Sequence, residues 1–200
     1  MSFTFIHELV MYFMVGVLLF ATYVIIERLI FFAVTLREGK NVENFVRSHL
    51  HDKKLHGQII DTFQSQNSPQ AQAICEVVTA AKDARTHEQM EYIVQSIYVS
   101  KKPQVGPRLW ILDTIITMSP LLGLLGTILG IIDAFHSLSS GSAAADPAAV
   151  SRGIGTALYA TGFGIFIALY VMMFFNYFNS KVEAINNQMK LISLTVLGAR

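Results

Sequence analysis

The sequence has little charge, and in three stretches it has none. Asp, Glu, Lys and Arg make up 14% of the 200 residues, against 52% hydrophobic residues and a mean hydropathy of +0.46. Charged residues are absent from positions 9–26, 114–132 and 153–180. Each stretch reaches the roughly 18–20 residues that cross about 30 Å of hydrocarbon. This composition excludes an ordinary soluble domain and predicts three transmembrane helices.

Cysteine is nearly absent, and the sequence has no catalytic or metal-binding motif. The single cysteine, Cys75, cannot form an internal disulfide. His49, His51 and His56 match none of the spacings of zinc sites, so we interpret them as solvated surface residues. No nucleophile–base pair or phosphate-binding loop is visible, and the net charge of +1 does not favour nucleic-acid binding. We therefore expect no enzymatic activity, no cofactor and no metal site.

Lys and Arg are unevenly distributed, and their distribution predicts the orientation. Residues 1–8 and 136–151 contain neither, whereas residues 37–108 hold ten and the segment after residue 180 holds three. Because basic residues concentrate on the cytoplasmic side, the N-terminus and the short loop should lie outside. We predict an all-α integral membrane protein with a helical cytoplasmic insert between helices one and two. Its segments are helix one with a cytoplasmic extension (1–36), the insert (37–108), helix two (109–136), an outer loop (137–152), helix three (153–180) and a cytoplasmic C-terminal tail (181–200).

The insert shows signals for helix starts. Ser68 before Pro69 is typical of an N-cap, and Thr86 with Gln89 forms a capping-box pattern. Apolar residues follow each start at helical spacing. The two apolar faces are Ile74, Val77, Val78 and Ala81, and then Met90, Ile93, Val94, Ile97 and Tyr98. The bend into helix two is predicted at Pro103, Gly106 and Pro107.

Helices two and three are rich in small residues, although glycine is a poor helix former. At about 100° per residue, the small residues of each helix gather within roughly 60–80°. Lipid gives apolar helices no hydrophobic reason to associate, and small residues let their backbones pack closely. The residues predicted to pack the helices are Gly123, Gly126, Gly130, Gly153, Ala157, Gly164 and Ala168.

Two threonines, Thr127 and Thr161, lie mid-membrane on these small-residue faces. A single threonine there often bonds the carbonyl four residues earlier and needs no other role. Two together favour a polar seam that lines a cavity or a partner helix. Thr156 adds a hydroxyl on a flanking face of helix three. We predict that these three threonines face an ion pathway or a partner helix.

The middle of each predicted span lacks a carboxylate, although intramembrane carboxylates usually mark proton relays. Asp113 lies near the cytoplasmic start of helix two and Asp133 near its outer end. We interpret Glu27, Arg28 and Asp113 as the cytoplasmic mouth of a pathway, with ordinary interfacial charge as the alternative for Glu27 and Arg28. If ions cross here, the group that carries them mid-membrane must come from another polypeptide.

These residues resemble a known family. SPLLGLLGTILGIIDAF (119–135) and GIGTALYATGFGIFIAL (153–169) resemble the second and third membrane helices of the ExbB/TolQ group, which is related to the MotA flagellar stator subunit. IIERL (25–29) resembles the end of that group's first helix. The resemblance implies a bacterial inner-membrane protein that forms a pentameric ring. Thr127 and Thr161 match the family's threonines in helices two and three.

The resemblance also implies partners and a function. The ring would surround two single-span helices of an ExbD/TolR/MotB-like subunit, whose intramembrane aspartate carries the ion, and a TonB/TolA-like protein would transmit the force. Ion flow, with the proton as first choice, would then drive envelope work such as TonB-type uptake or Tol-type envelope maintenance. The family is not one of enzymes.

One position departs from the family pattern. ExbB-like and TolQ-like members tend to carry a glutamate five residues before the helix-three threonine, and here that position is Thr156. The departure leaves open another coupling ion, including sodium, and a MotA-like motility motor. A scaffold whose glycine faces only mediate assembly is the alternative of another class, and it would tolerate Thr127→Val and Thr161→Val. The process that is energised stays open.

Overall fold

The computed structural model describes residues 3–49, 55–66, 68–80, 86–139 and 147–198, and every regular element in these ranges is an α-helix. The predicted all-α class is confirmed. The helices are α1 (Phe3–Ser48), α2 (Leu55–Phe63), α3 (Pro69–Ala80), α4 (His87–Val105), α5 (Leu109–Ser139) and α6 (Pro147–Gly198).

Three of these helices are long and apolar enough to cross a membrane. The candidate spans are Glu8–Ser48 in α1, Leu109–His136 in α5 and Val150–Val196 in α6. This agrees with the three membrane helices predicted from the charge-free stretches. Two of these helices are longer than a span requires, because α1 has 46 residues and α6 has 52, against about 20 needed to cross a bilayer.

Helix α6 includes the segment that the sequence reading separated as a C-terminal tail. The helix begins at Pro147, six residues before the predicted start of helix three, and runs to Gly198. Neither glycine nor proline occurs between positions 165 and 197, so nothing in that segment interrupts the helix. At about 1.5 Å per residue, both α1 and α6 extend roughly 40 Å or more beyond what a membrane requires.

The chain divides into two compact units. Unit 1 comprises Met1–Glu27 and Arg108–Asn176, and unit 2 comprises Arg28–Pro107 and Tyr177–Arg200. Unit 1 contains α5 and the membrane-spanning parts of α1 and α6, and large apolar side chains lie on its surface. Leu19, Leu121 and Leu158 are each more than 60% exposed. Such a surface is suited to hydrocarbon rather than to water.

Unit 2 has an apolar core built from α1, α2, α3 and α6. Its buried members are Val42, Val46, Ile59, Phe63, Ala71, Ile74, Val78, Ile192 and Val196. The predicted apolar face of α3 is buried at Ile74, Val77 and Val78, while Ala81 lies outside the described residues. Of the five predicted positions on α4, only Val94 is fully buried, and the other four are half-buried.

Both predicted helix starts of unit 2 are present. The Ser68 hydroxyl accepts a hydrogen bond from the Ala71 backbone N–H at 3.3 Å, and Thr86 accepts one from Gln89 at 3.2 Å. The predicted bend was placed too early, because Pro103 lies inside α4. Pro103 has no N–H to bond the Val99 carbonyl, so it weakens the last turn of the helix. The helix nevertheless continues for two more residues, and the chain turns at positions 106–108.

A polar cluster connects α1, α3 and α6 inside unit 2. Gln70 donates from Nε2 to the Thr35 carbonyl at 3.2 Å, and Gln188 donates from Nε2 to the Glu43 carboxylate at 3.0 Å. Both glutamines reach Gly39, where an added Cβ would lie 2.6 Å from Gln70 Nε2 and would also meet Gln188 Oε1. Glycine at this position therefore lets two side chains approach the backbone of α1.

The histidines form no metal site among the described residues. The His49 ring stacks on Phe45 at 4.4 Å between centroids, and its Nδ1 lies 2.9 Å from the Ser48 hydroxyl. His49 is thus partly packed rather than fully solvated. His51 and the side chain of His56 lie outside the described residues.

Cys75 is a free, half-buried thiol on α3. Burial, and secondarily the neighbouring Glu76 carboxylate, raises the pKa of the Cys75 thiol above its ordinary value of 9.0. Both effects disfavour the thiolate, which is the form that reacts with alkylating reagents.

We expect the alkylation of Cys75 by iodoacetamide to reach half its maximal rate at a pH above 9.0, because burial and Glu76 disfavour the thiolate in the folded protein. The measurement is the pseudo-first-order alkylation rate against pH, followed by mass spectrometry. The same chain unfolded in denaturant serves as the control and should show an ordinary midpoint. A folded-state midpoint equal to that of the unfolded chain would contradict this assignment.

Candidate ion pathway between α5 and α6

The site begins with a backbone-to-backbone contact between α5 and α6 in unit 1. A Cβ added at Gly123 would lie 2.8 Å from the Ala160 carbonyl oxygen and 2.9 Å from Thr161 Cα. A Cβ at Gly164 would lie 3.1 Å from Gly123 Cα and would also meet the Ser119 carbonyl oxygen. Side chains at these two positions would therefore force the helices apart.

The other predicted packing residues lie along the same contact or close to it. A Cβ at Gly126 would be 2.7 Å from Ala160 Cβ, and one at Gly153 would be 2.8 Å from Ala134 Cβ and 3.9 Å from the Gly130 carbonyl oxygen. Gly130, Ala157 and Ala168 are buried. Each of these four glycines, Gly123, Gly126, Gly153 and Gly164, thus has a neighbour that a side chain would displace.

Thr161 makes its hydrogen bond across this contact. Its hydroxyl donates to the Gly123 carbonyl on α5 at 3.1 Å, and its Oγ1 lies 3.5 Å from Thr127 Oγ1. Thr127 donates to the Leu124 carbonyl, three residues earlier on its own helix, at 2.6 Å. The structure therefore brings the two predicted threonines together as a pair.

Other hydroxyls on α5 and α6 behave as isolated threonines and serines in membrane helices do. They donate to carbonyls three or four residues earlier on their own helix. Examples are Thr114 to Trp110, Thr117 to Thr114, Ser119 to Ile115 and Thr156 to Gly153, at 2.7–2.9 Å. Thr161 differs from these in using its proton to join two helices.

The hydrogen bonds define what the threonine pair can recognise. Each hydroxyl has one proton. Thr127 donates its proton to the Leu124 carbonyl, and Thr161 donates to the Gly123 carbonyl at 3.1 Å, with Thr127 Oγ1 as a more distant acceptor at 3.5 Å. The oxygen lone pairs remain, so the Thr127–Thr161 pair presents hydrogen-bond acceptors. Thr127 is 9% exposed and Thr161 is half-buried, which shields the pair from competing solvent. Such a pair suits a ligand that donates, such as a protonated carboxylic acid, a hydronium ion or a hydrated cation.

The structure separates Thr156 from this pair. Five residues along a helix correspond to about 140° of rotation, so Thr156 and Thr161 lie on different flanks of α6. Thr156 instead lines a groove of about 550 Å³ together with Glu8, Asp133 and residues of α1, α5 and α6. Glu8 was not singled out from the sequence, although both carboxylates border charge-free stretches at the same predicted side of the membrane.

Glu27 and Arg28 are engaged in contacts near the start of α5. In unit 1, the Glu27 carboxylate pairs with the Arg108 guanidinium at 3.0 Å, and Arg108 adopts a left-handed backbone conformation with φ of 67°. In unit 2, buried Arg28 donates to the Pro107 carbonyl at 2.8 Å. These contacts favour a structural role for both residues. Asp113 is exposed on α5.

Comparison with known proteins decides the family. Residues 59–191 match the model of the MotA/TolQ/ExbB proton channel family. The chain belongs to this family. The match includes α5, most of α6 and both threonines of the pair, so the resemblance stated from the sequence is confirmed.

Individual relatives carry ExbB and TolQ names. A protein of Synechocystis sp. named as biopolymer transport protein ExbB-like 3 is 33% identical over 169 residues, which cover 84% of this chain and 79% of that protein. The Tol-Pal system protein TolQ of Haemophilus influenzae is 42% identical over 74 residues, 37% of this chain and 32% of that protein. Biopolymer transport protein exbB1 of Vibrio cholerae is 38% identical over 69 residues, 34% of this chain and 30% of that protein. The family membership makes this chain an ExbB/TolQ-type subunit.

We expect Gly164→Ala to lower the free energy of unfolding by about 1–3 kcal/mol, because the new methyl group meets backbone atoms that cannot move independently. The measurement is reversible unfolding of the protein in detergent micelles. Gly162→Ala is the matched control, since no atom lies within 4 Å of a Cβ at that position. Equal losses in the two variants would contradict the packing assignment.

Proposed function

We propose that this chain is a proton-conducting subunit of an inner-membrane complex that couples ion-motive force to envelope work. The observation that carries the proposal is the Thr127–Thr161 pair, which presents acceptor oxygens mid-span between two tightly packed helices. Family membership supports the class of complex. The names of its relatives support work of the biopolymer-transport or Tol-Pal type.

The acceptor pair explains why a second polypeptide is needed. The charge-free middle of each span supplies no carboxylate to gain and lose a proton. A partner with a single span and an intramembrane aspartate supplies that group. When its carboxyl is protonated, its O–H donates to the threonine oxygens. When the carboxyl is ionised, it has no proton to donate to the threonine oxygens, so the hydrogen bond is lost.

This difference would couple protonation to movement. The protonated acid gains a hydrogen bond at the pair, while the carboxylate is left unpaired in a low-dielectric setting. Loading and release of a proton therefore change where the partner helix binds best. A ring of copies of this chain would offer such a pair at each subunit, with the N-terminus in the periplasm and the C-terminus in the cytoplasm.

A sodium-coupled motor of the MotA type is a second candidate. The observation that favours it is that hydroxyl and carbonyl oxygens, which meet at Thr127, Thr161 and Gly123, also coordinate hard cations. The groove with Glu8, Asp133 and Thr156 adds two carboxylates near the predicted outer side. Flux measured with a proton gradient alone and with a sodium gradient alone separates the two candidates.

We expect the protein purified in mild detergent to have a native mass of five copies of the 22.2 kDa chain, with a single-span partner retained in smaller number. Native mass spectrometry, with and without co-expression of a candidate single-span partner that carries an intramembrane aspartate, is the measurement. A monomer or dimer that is indifferent to the partner would contradict the ring.

We expect Thr161→Val to lower ion flux by about tenfold or more, because it removes one interhelical hydrogen bond and one acceptor while keeping the side chain's volume. The measurement is dye-reported flux in proteoliposomes that contain the complex purified with its partner. Thr161→Ser should retain most of the flux.

The matched control is Thr114→Val, whose hydroxyl bonds only the Trp110 carbonyl on its own helix. This variant should conduct normally. Unchanged flux in Thr161→Val, with the ring intact, would remove the threonine pair from the ion pathway. Absence of flux in the unmodified complex would favour the scaffold alternative.

A further inference from the structure

Two buried amide oxygens in unit 2 accept no hydrogen bond from the protein. They are Oε1 of Gln70 on α3 and Oε1 of Gln188 on α6. Gln70 is 1% exposed, and although Gln188 is half-buried as a residue, its Oε1 atom is closed off from solvent. Buried polar atoms in folded proteins are nearly always hydrogen-bonded, so two acceptors without a donor require an explanation.

The nitrogens of the two amides fix which way each amide is turned. Nε2 of Gln70 donates to the Thr35 carbonyl at 3.2 Å, and Nε2 of Gln188 donates to the Glu43 carboxylate at 3.0 Å. Reversing either amide would place its oxygen against a group that can only accept. Both side chains therefore keep Oε1 as a buried acceptor, and each oxygen needs a donor from outside the pairs already described.

The two amides meet beside one glycine of α1. Gly39 is buried, and a Cβ added there would lie 2.6 Å from Gln70 Nε2 and 3.0 Å from Gln70 Cδ. The same Cβ would also meet Gln188 Oε1. The amide groups of α3 and α6 thus share one small region against the backbone of α1, and only glycine lets both of them reach it.

The chemistry of this region selects a neutral ligand that donates. An anion is disfavoured, because the atoms that lack a partner are acceptors. A cation is also disfavoured, because the Glu43 carboxylate is already paired with Arg47 at 2.8 Å and with Gln188 Nε2, and a buried charge needs a counter-charge of its own. A water molecule is neutral, carries two protons and is stable in a buried site that offers it two or more polar partners.

We propose that an ordered water molecule binds beside Gly39 and donates one proton to Gln70 Oε1 and the other to Gln188 Oε1. This bridge joins α3 of the insert to α6 at the place where both side chains approach α1. Since α1 and α6 are each continuous from a membrane-spanning part into unit 2, the water fastens the insert to the extensions of two membrane helices.

The test is water-edited solid-state NMR on the full-length protein in lipid bilayers, with glutamine labelled at Cδ and alanine at Cβ with carbon-13. We expect the Cδ signals of Gln70 and Gln188 to gain polarisation from water about threefold faster than the methyl group of Ala71, which is 0% exposed and follows Gln70 in the chain. Exposed Gln104 is the fast reference. A rate at either glutamine that is as slow as at Ala71 would overturn the proposal, and this comparison needs no variant.

A variant tests whether the two oxygens share one water molecule. Gln70→Met keeps a side chain of similar length and removes one acceptor, so transfer from water to Gln188 Cδ should slow by about twofold or more. The matched control is Gln72→Met on the same helix, whose Oε1 accepts from Lys101 instead, and it should leave Gln188 unchanged. Unchanged transfer to Gln188 in Gln70→Met would mean that the two oxygens are hydrated separately, which contradicts the bridge.

Exchange of the salt tests the neutrality of the ligand. Replacing sodium in the buffer by potassium or by N-methylglucamine should leave the Cδ chemical shifts of Gln70 and Gln188 unchanged, because water rather than a metal ion contacts their oxygens. Shifts that follow the identity of the cation would assign the site to a metal ion and overturn the proposal.

Discussion

The direct backbone contact of α5 with α6 is the constraint on which unit 1 and its site depend. Lipid solvates apolar side chains as well as a neighbouring helix does, so the two helices need shape rather than hydrophobicity to associate. Gly123 and Gly164 provide that shape. The same approach brings the Thr161 hydroxyl within 3.1 Å of the Gly123 carbonyl. A side chain at Gly123 would remove the packing and the interhelical hydrogen bond together, so fold and site share one contact.

Much of unit 1 could be predicted from the sequence, because a bilayer permits few solutions. Charge-free stretches predicted the spans, and small residues at helical spacing predicted the packed faces. The positions of Thr127 and Thr161 predicted their proximity. The acceptor of the Thr161 hydrogen bond could not be predicted, since it depends on how α5 and α6 are shifted along their axes relative to each other. The flanking position of Thr156 could be predicted from its five-residue spacing to Thr161. The groove that it lines with Glu8 and Asp133 could not, because that groove depends on how α1, α5 and α6 pack.

Unit 2 shows what local patterns leave out. The helix caps at Ser68 and Thr86 were predictable because each involves residues three apart. The role of Gly39 was not, because the glutamines that reach it come from α3 and α6, far away in the chain. Hydrophobic periodicity reports which face of a helix is buried but not which helix covers it. In unit 1, the left-handed Arg108 was hidden in the same way, since its side chain pairs with Glu27 of α1, which lies 81 residues earlier in the chain.

Two features of this chain favour a function that is shared with a second polypeptide. The spans have no carboxylate at their middle, and the protons of the threonine pair are already used in hydrogen bonds. A chain that held its own mid-span acid beside Thr161 would satisfy the threonine oxygens internally and would need no partner to respond. A chain whose threonine protons were free would bind an ionised carboxylate as well as a neutral one, and protonation would then change little. In the proposed mechanism, protons directed to Gly123 and Leu124 would leave the pair only acceptor oxygens, which would favour the neutral acid. Discrimination between protonation states would then depend on backbone carbonyls that the glycine contact brings into position.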